Sequence, residues 1–204
     1  MPERETPDCT NEKARQFFTA AEPLLLRYGF RKTTVEEICH AAGASKRTFY
    51  ELFRDKTDLL MQMLNCMVSD ALVRWRASMD ASMTTEDKLE SYLTGYEAFG
   101  RAHPVFQECM HEAEPLAWGE KGCPYDGLQI TLDALREVVE EGVASGEFRA
   151  MDSNTAVYVI DGLLDSMYYV YPKMTGQKSA LDNPVLAREV RAFIINGLRN
   201  PDRG

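Results

Sequence analysis

One short segment of the chain carries polar side chains whose types match the hydrogen-bonding groups of a DNA duplex. The set consists of Lys46, Arg47, Thr48, Tyr50 and Glu51. An arginine can donate two hydrogen bonds to the O6 and N7 atoms of guanine, and a carboxylate can accept one from the N4 amino group of cytosine. Cations and hydroxyl groups also suit phosphates, which fix the position of a protein on DNA without reading its sequence. The chemistry that this set could perform is therefore recognition of a nucleic acid.

The spacing of the neighbouring apolar residues predicts that this polar set lies on a short helix. On a helical wheel, Phe49, Leu52 and Phe53 share one side, and the polar set occupies the remainder. Ser45 precedes the segment and is a favourable N-cap. A short helix that aromatic residues fix in place, with cations and hydroxyl groups facing outward, suits a major groove. Taken alone, the same pattern fits an ordinary solvent-exposed helix face equally well.

The residues around this segment predict a second helix, a tight turn and the start of a third helix. Thr34 and Glu37 have the spacing of a capping box, and an apolar series at helical spacing follows them. Gly43 can adopt the positive φ that a close helix-to-helix turn requires. Asp55 and Asp58 have capping-box spacing where the third helix would begin. Two short helices around such a turn predict a helix-turn-helix. In that arrangement, contact with DNA is a better interpretation of the polar set than simple exposure to solvent.

The sequence from residue 14 to residue 60 resembles the N-terminal region of the TetR family of bacterial transcription regulators. The matching order is AA…YGF-x-x-TTVEEI…AAGASKRTFYELFRDKTDLL, and it continues almost without a gap. The resemblance implies an all-α homodimer that binds double-stranded DNA through three N-terminal helices. It also implies a larger C-terminal domain that binds a small-molecule effector. Beyond residue 60 the resemblance is one of architecture only.

The resemblance and the side-chain chemistry together assign roles to the candidate DNA-binding residues. Contacts to phosphates are expected from Thr34, Ser45, Thr48, Tyr50 and Lys56. Arg47 and Glu51 are expected to contact bases. In the family, a small residue usually stands in place of Arg47 and an aromatic or polar residue often stands in place of Glu51, so these departures affect the preferred DNA sequence. Pro23 interrupts the first helix and affects only its shape.

Composition and charge are those of a soluble globular protein. Hydrophobic residues make up 45% and charged residues 27% of the 204 residues. No run of about 18 apolar residues and no signal-like N-terminus is present, so we expect a cytoplasmic protein without a membrane association. The formal net charge is −9, yet residues 1–56 hold ten basic and nine acidic side chains, and residues 57–204 hold 13 and 23. A weakly basic DNA-binding part is therefore expected on an acidic body.

Five cysteines are scattered along the chain, at Cys9, Cys39, Cys66, Cys109 and Cys123. Their number is odd, and they form no C-x-x-C pair and no disulfide framework. They are predicted to be buried reduced thiols. The more specific alternative is that they act as a redox sensor.

Apolar periodicity predicts an all-α chain in three parts. Residues 1–10 are expected to form a mobile tail, residues 11–56 a DNA-binding domain (the head), and residues 57–204 a domain for effector binding and dimerisation. Thr85 is the predicted cap of its helix, and Pro172 is expected to end the helix that begins at Ser153. Besides the helix-turn-helix, helices are predicted at about 11–28, 56–79, 86–101, 104–114, 126–145, 153–171 and 184–198.

The last two predicted helices are apolar on more than one face. After one face packs on the core of the domain, another apolar face of each helix must still be buried by packing. An interface of four helices, two from each subunit of a homodimer, would supply this packing. Gly162 and Gly197 would permit close approach there, and Ile194 is expected to be buried in the contact. The alternative is that both faces are buried within one subunit.

An aromatic and Met-rich set supplies the candidate effector pocket, which would suit an apolar or flat molecule. The set includes Tyr96, Phe99, Met110, Trp118 and Tyr168. Core packing explains each of these residues individually as well. Asp161 and Asp165 lie one helical turn apart and would suit a cationic ligand or an interfacial arginine, although solvent exposure is the simpler expectation.

No cofactor, metal or catalytic site is predicted. The metal-like cluster offers at most two usable ligands on one helix, and it consists of His103, Glu108, Cys109, His111 and Glu112. The sequence therefore predicts a ligand-responsive, dimeric DNA-binding regulator, and more specifically a repressor that a small molecule releases from a palindromic operator. The alternative is an all-helical small-molecule binding protein or enzyme with a vestigial head.

Overall fold

The computed structural model describes residues 9–105, 126–176 and 183–202, and these residues contain helices but no β-strand. The helices are α1 (Glu12–Tyr28), α2 (Val35–Ala41), α3 (Lys46–Leu52), α4 (Lys56–Ser78), α5 (Thr85–Ala102), α6 (Asp126–Ser145), α7 (Ser153–Asp165), α8 (Tyr171–Thr175) and α9 (Pro184–Leu198). A π-helical turn at Ser166–Val170 joins α7 to α8. The predicted all-α class is confirmed.

The chain divides into two compact units. The N-terminal unit comprises Met1–Asp70 and His103–Leu128, and the C-terminal unit comprises Ala71–Ala102 and Gln129–Gly204. Helix α4 begins in the first unit and ends in the second. The boundary predicted between residues 56 and 57 falls at the start of α4, whereas the first segment of the N-terminal unit extends to Asp70.

Aromatic side chains form the centre of the N-terminal unit. Phe49 of α3 is fully buried, and its ring centroid lies 5.6 Å from that of Phe17 in α1 and 5.2 Å from that of Phe53. The rings of Phe17 and Phe53 also meet edge to face, with their centroids 5.7 Å apart. Aromatic pairs of this geometry stabilise a core beyond the apolar area that they bury. This aromatic cluster holds one side of α3 and leaves the opposite side exposed.

Two of the five cysteines are paired, which the sequence did not predict. Cys9, in the turn before α1, forms a disulfide with Cys66 of α4, and their Cα atoms are 5.4 Å apart. Cys39 is a buried free thiol, as expected, whereas Cys109 and Cys123 lie outside the described residues. The prediction of reduced thiols is wrong for Cys9 and Cys66. The fold brings together two residues whose separation of 57 positions carries no local signal of pairing.

In the C-terminal unit, α5, α6 and α9 are joined by a buried ring and by an ion pair to a buried carboxylate. Phe148 is buried against α6, where Gly142 leaves the space that the ring occupies. The backbone of Phe148 also forms an isolated antiparallel bridge with Arg199, just after α9. Arg191 of α9 lies 3.2 Å from the buried carboxylate of Glu97 in α5. Because a buried carboxylate is costly unless it is paired, this contact fixes α5 against α9.

Two predicted helix ends are wrong. The helix that begins at Ser153 does not end at Pro172, because a π-helical turn follows α7 and Pro172 then falls at the second position of α8. Pro172 has no N–H to donate back into the preceding turn, and that turn is the wider π-helical one at Ser166–Val170. The cap of α5 is Thr84 rather than Thr85, since the Thr84 Oγ1 accepts the backbone N–H of Asp87 at 3.0 Å.

The helix expected at 104–114 lies largely outside the described residues, and so does every member of the metal-like cluster except His103. Within the described ranges, no three His, Cys, Asp or Glu side chains come together as metal ligands would. None of the helices described above is long and apolar enough to cross a lipid bilayer.

Phe49→Ala should destabilise the N-terminal unit by about 3–5 kcal/mol, because it removes a fully buried ring from the aromatic cluster. Tyr50→Ala is the matched control, since the neighbouring Tyr50 is exposed and its loss should change the free energy of unfolding by less than about 1 kcal/mol. Urea unfolding followed by far-UV circular dichroism measures both values. Equal losses in the two variants would show that the aromatic cluster is not what holds α3.

Candidate nucleic-acid interface

Helix α3 begins at a hydroxyl cap. The Ser45 Oγ accepts the backbone N–H of Thr48 at 3.1 Å and lies 2.9 Å from the Thr48 Oγ1. A cap of this kind satisfies an N–H group that the start of a helix would otherwise leave without a partner. Ser45 is exposed and Thr48 is half-buried. Two of the residues predicted to contact phosphates therefore lie together at the N-terminus of α3.

The approach to α3 is fixed by hydrogen bonds on both sides of the turn. The predicted capping box is present, because the Thr34 Oγ1 accepts the Glu37 N–H at 3.2 Å and the Glu37 carboxylate accepts the Thr34 N–H at 2.8 Å. Hydrogen bonds that the Glu37 carboxylate accepts from the Thr34 hydroxyl and, secondarily, from the Thr34 N–H lower the pKa of the Glu37 carboxyl. Gly43 has the predicted positive φ, at 61°. The Gln16 side-chain amide of α1 donates to the Ala42 carbonyl at 2.7 Å, which ties the turn to α1.

Lys46 connects α3 to α2. Its Nζ donates a hydrogen bond to the Glu36 Oε2 at 2.8 Å. The hydrogen bond raises the pKa of the Lys46 ammonium and lowers the pKa of the Glu36 carboxyl. Both side chains are exposed, and ion pairs in water are weak. Lys46 can therefore leave Glu36 for a phosphate or a base at small cost.

Arg47 and Glu51 pair with each other along the exposed side of α3. The Arg47 Nε donates to the Glu51 Oε1 at 3.0 Å, and the two side chains are 90% and 57% exposed. Because exposed pairs four residues apart contribute only a few tenths of a kcal/mol, the pair can open to present a guanidinium to guanine or a carboxylate to cytosine. Tyr50 is also exposed, with its ring edge against Phe49 at 5.3 Å between centroids.

Lys56 has a different environment from the one expected of a phosphate contact. Its Nζ donates to the carbonyl oxygens of Phe30 at 2.5 Å and Thr33 at 2.6 Å, and it lies 4.4 Å from the centroid of the Phe30 ring. The half-buried ammonium thereby closes the loop between α1 and α2 onto the start of α4. Sequence reasoning missed this role because the partners lie 26 and 23 positions earlier in the chain. A direct phosphate contact by Lys56 would require these hydrogen bonds to break.

A second polar cluster lies inside the C-terminal unit, on α5, α6 and α7. The Tyr96 hydroxyl lies 3.5 Å from the Asp165 Oδ1, and the buried Tyr92 hydroxyl is hydrogen-bonded to Thr131. Burial, together with the negative charge of Asp161, raises the pKa of the Tyr92 phenol. Burial and, secondarily, the charge of Asp165 raise the pKa of Asp161 to about 7. The expected solvent exposure of the two aspartates is wrong, because this side of α7 lies against α5 and both residues are half-buried.

The predicted effector-pocket residues are described only in part. Tyr96 and Phe99 are half-buried on α5. Met110 and Trp118 lie outside the described residues, and only the backbone of Tyr168 is described. The described members of the set share the C-terminal unit with the polar cluster.

Comparison with known proteins identifies the part of the chain that contains α2 and α3. The profile of the family "Bacterial regulatory proteins, tetR family" matches residues 17–63. The HTH-type transcriptional repressor KstR2 of Rhodococcus jostii is 24% identical over 183 residues, which are 89% of this chain and 88% of the repressor. The fatty acid metabolism regulator protein of Bacillus subtilis is 22% identical over 190 residues, which are 92% of this chain and 96% of that protein.

Solved structures share the fold over almost the whole chain. The fatty acid degradation regulator FadR from Bacillus halodurans has a TM-score of 0.72 at 22% identity, over 92% of this chain and 97% of that one. FadR from Bacillus subtilis, solved in complex with stearoyl-CoA, also has a TM-score of 0.72, at 18% identity over 91% and 99% of the two chains. The helix-turn-helix lies within residues 17–63, and this segment of the chain matches the TetR family of bacterial regulatory proteins.

Proposed function

We propose that the protein is a homodimeric transcription repressor that binds a palindromic DNA site and releases it when a small molecule binds to the C-terminal unit. The observation that carries the proposal is the exposed side of α3, where Arg47 and Glu51 stand on a helix that the aromatic cluster fixes in place. The family match and the regulatory relatives support it. A protein of this kind acts on chromosomal DNA in the bacterial cytoplasm and catalyses no reaction.

The charge distribution supports an attraction to DNA that is local to the head. Residues 27–56 hold seven basic and four acidic side chains, whereas residues 57–204 carry the acidic excess. Phosphate attraction depends on the surface that faces the duplex, and the acidic remainder weakens it at long range. Modest binding to random DNA and a strong dependence on salt follow from this distribution.

Two helices of the C-terminal unit expose apolar side chains that support a two-fold interface. On α7, Tyr158 and Val159 are exposed, and Gly162 has open space where a side chain would stand. On α9, Phe193 is 70% exposed and Gly197 has open space as well. The other side of each helix is buried within the unit, so the exposed apolar sides need a cover. A second copy that packs its own α7 and α9 against them would supply it.

Effector binding is proposed to act by shifting the population of two dimer conformations. The two recognition helices must lie about 34–36 Å apart to enter successive major grooves. Helix α4 leads from the head into the C-terminal unit, so an effector that favours another spacing or tilt of the heads lowers the affinity for the operator. A coupling of about 1–3 kcal/mol is usual, and the operator must weaken effector binding by the same factor.

The effector is proposed to be an apolar or flat molecule whose polar group is neutral or cationic. The phenol of Tyr96 and the carboxyl groups of Asp161 and Asp165 can orient such a group, whereas they would repel an anion. A second candidate is a long-chain acyl-CoA, because the Bacillus subtilis FadR was solved with stearoyl-CoA. Tight binding of stearoyl-CoA that Asp165→Asn leaves unchanged would favour this second candidate.

The alternative function, a helical binding protein or enzyme with a vestigial head, has less support. The head retains the capping box at Thr34, the positive φ at Gly43 and the exposed polar side of α3. The exposed polar side of α3 would not be needed if the head only packed against other helices. Failure of the protein to bind any genomic fragment at low salt would restore the alternative.

Arg47→Ala should weaken binding to the preferred DNA site by about 1–3 kcal/mol and relax the preference at one base pair, because a contact to a base edge is lost. Binding to random DNA should change much less. Fluorescence anisotropy with both DNAs at one salt concentration measures the two losses. The matched control is Arg74→Ala, which removes the same charge from an exposed position of α4 in the C-terminal unit and should leave the preference intact. Equal losses on both DNAs would contradict base reading by Arg47.

Phe193→Asp should convert the dimer into folded monomers, because it places a charge in the proposed interface. Ile194→Asp is the informative comparison. Sequence analysis placed Ile194 in the contact, but it is 3% exposed within one subunit, so a charge there should unfold the C-terminal unit. Light scattering and circular dichroism at micromolar concentration distinguish the two outcomes. A folded wild-type monomer, or a Phe193→Asp variant that stays dimeric, would contradict the proposed interface.

Asp161 should make the folded protein less stable as the pH rises from about 4 to about 7. Its folded-state pKa of about 7 lies above the ordinary aspartate value of 3.8, so the folded chain holds a proton that the unfolded chain has already released in this range. Asp161→Asn cannot ionise and should gain roughly 1–2 kcal/mol relative to the wild type between pH 5 and pH 8, a value reduced for partial solvation. Urea unfolding at the two pH values measures the gain. No change in the relative stability would contradict the raised pKa.

A further inference from the structure

A disulfide in the N-terminal unit closes a covalent loop of the chain that contains the candidate DNA-binding helices. The Cα atoms of Cys9 and Cys66 are 5.4 Å apart, inside the range of about 4.4–6.8 Å that disulfides span, so the bond requires no displacement of the main chain. Helices α1, α2 and α3 lie between the two cysteines in the sequence. Every candidate DNA-binding residue, from Thr34 to Lys56, therefore lies within the closed loop.

Two described contacts at this junction are exposed and polar. The Arg15 Nε donates to the Cys9 carbonyl oxygen at 2.5 Å, and the Arg15 guanidinium pairs with the Asp70 carboxylate of α4 at 3.0 Å. Water weakens contacts of this kind. The covalent bond is stronger than either contact, so its loss should loosen the attachment of the residues before α1 to helix α4.

The two bonded cysteines differ in access from solvent. Cys66 is buried, whereas Cys9 is half-buried in a turn at the surface. A small oxidant or an external thiol can therefore approach Cys9, with Cys66 placed to complete the exchange. Cys39 is different, because it has no disulfide partner and burial raises the pKa of its thiol. A buried thiol of raised pKa holds little reactive thiolate.

We propose that Cys9 and Cys66 form a reversible thiol–disulfide pair, a redox modification site that sets the stability of the DNA-binding unit. With hydrogen peroxide as oxidant, the Cys9 thiolate attacks one peroxide oxygen, the O–O bond breaks, and after protonation a sulfenic acid and water are formed. The Cys66 thiol then attacks the Cys9 sulfur, the S–O bond breaks, and a second water leaves. In the reverse direction, a dithiol attacks the Cys9 sulfur, Cys66 leaves as a thiolate, and the dithiol closes to its own disulfide as Cys9 is released.

The bond acts mainly on the unfolded chain. A cross-link between residues 57 positions apart lowers the conformational entropy of the unfolded state by restricting one long loop. The oxidised protein should therefore melt roughly 5–10 °C above the reduced protein. Reduction should also speed amide hydrogen exchange in α1 and in the first half of α4, which the bond holds together.

The test compares full-length protein treated with hydrogen peroxide or with dithiothreitol, both without denaturant. Remaining thiols are blocked with N-ethylmaleimide, peptides are mapped by mass spectrometry, and melting temperatures are measured in parallel. We expect a linked Cys9–Cys66 peptide after peroxide, its loss after dithiothreitol, and a higher melting temperature for the oxidised form. Cys9→Ser and Cys66→Ala should each abolish the difference in melting temperature, whereas Cys39→Ala should retain it.

Several results would overturn the proposal. A bond that dithiothreitol cannot reduce in the folded protein would be a structural disulfide and not a redox site. Peroxide-induced pairing of Cys9 with another cysteine, or equal melting temperatures of the two forms, would also contradict it. The Cys9→Ser variant changes a residue at the surface, so its outcome does not depend on repacking the core around Cys66. Neither readout requires DNA, and the result is therefore independent of the proposed repressor function.

Discussion

The packing of Phe49 against Phe17 and Phe53 is the interaction on which the proposed DNA recognition depends. Helix α3 has seven residues, and a helix of that length is not stable in water by itself. The buried rings provide both its stability and its orientation relative to α1. Because no polar side chain of α3 is needed for this packing, the opposite side can carry Arg47 and Glu51 for contacts with bases.

Contacts between distant parts of the sequence complete the N-terminal unit around this core. Lys56 binds the carbonyl groups of the loop between α1 and α2, and Arg15 joins α1 to α4 through Asp70. The disulfide between Cys9 and Cys66 encloses the same helices. The exposed pairs on α3 and α2 are weak, and the packing of α3 does not depend on them. A DNA duplex can therefore replace them without moving α3.

The features that sequence analysis predicted correctly are those with local signals. The capping box at Thr34 and the positive φ at Gly43 each depend on residues within a few positions, and the structure contains both. The role of Lys56 and the pairing of Cys9 depend on residues more than 20 positions away, which only the fold brings together. The apolar pattern also could not predict which side of α9 is buried, because Phe193 and Ile194 are both apolar and only the packing of the helix decides between them.

The proposed function requires that the head reads a specific palindromic DNA sequence. This can be tested by selecting genomic fragments with the purified protein and footprinting those that bind. We expect the bound fragments to share an inverted repeat whose half-site centres lie about 34–36 Å apart, or a multiple of that distance, with protection in the major groove of each half-site. Fragments recovered in proportion to their abundance, with no shared inverted repeat, would contradict it.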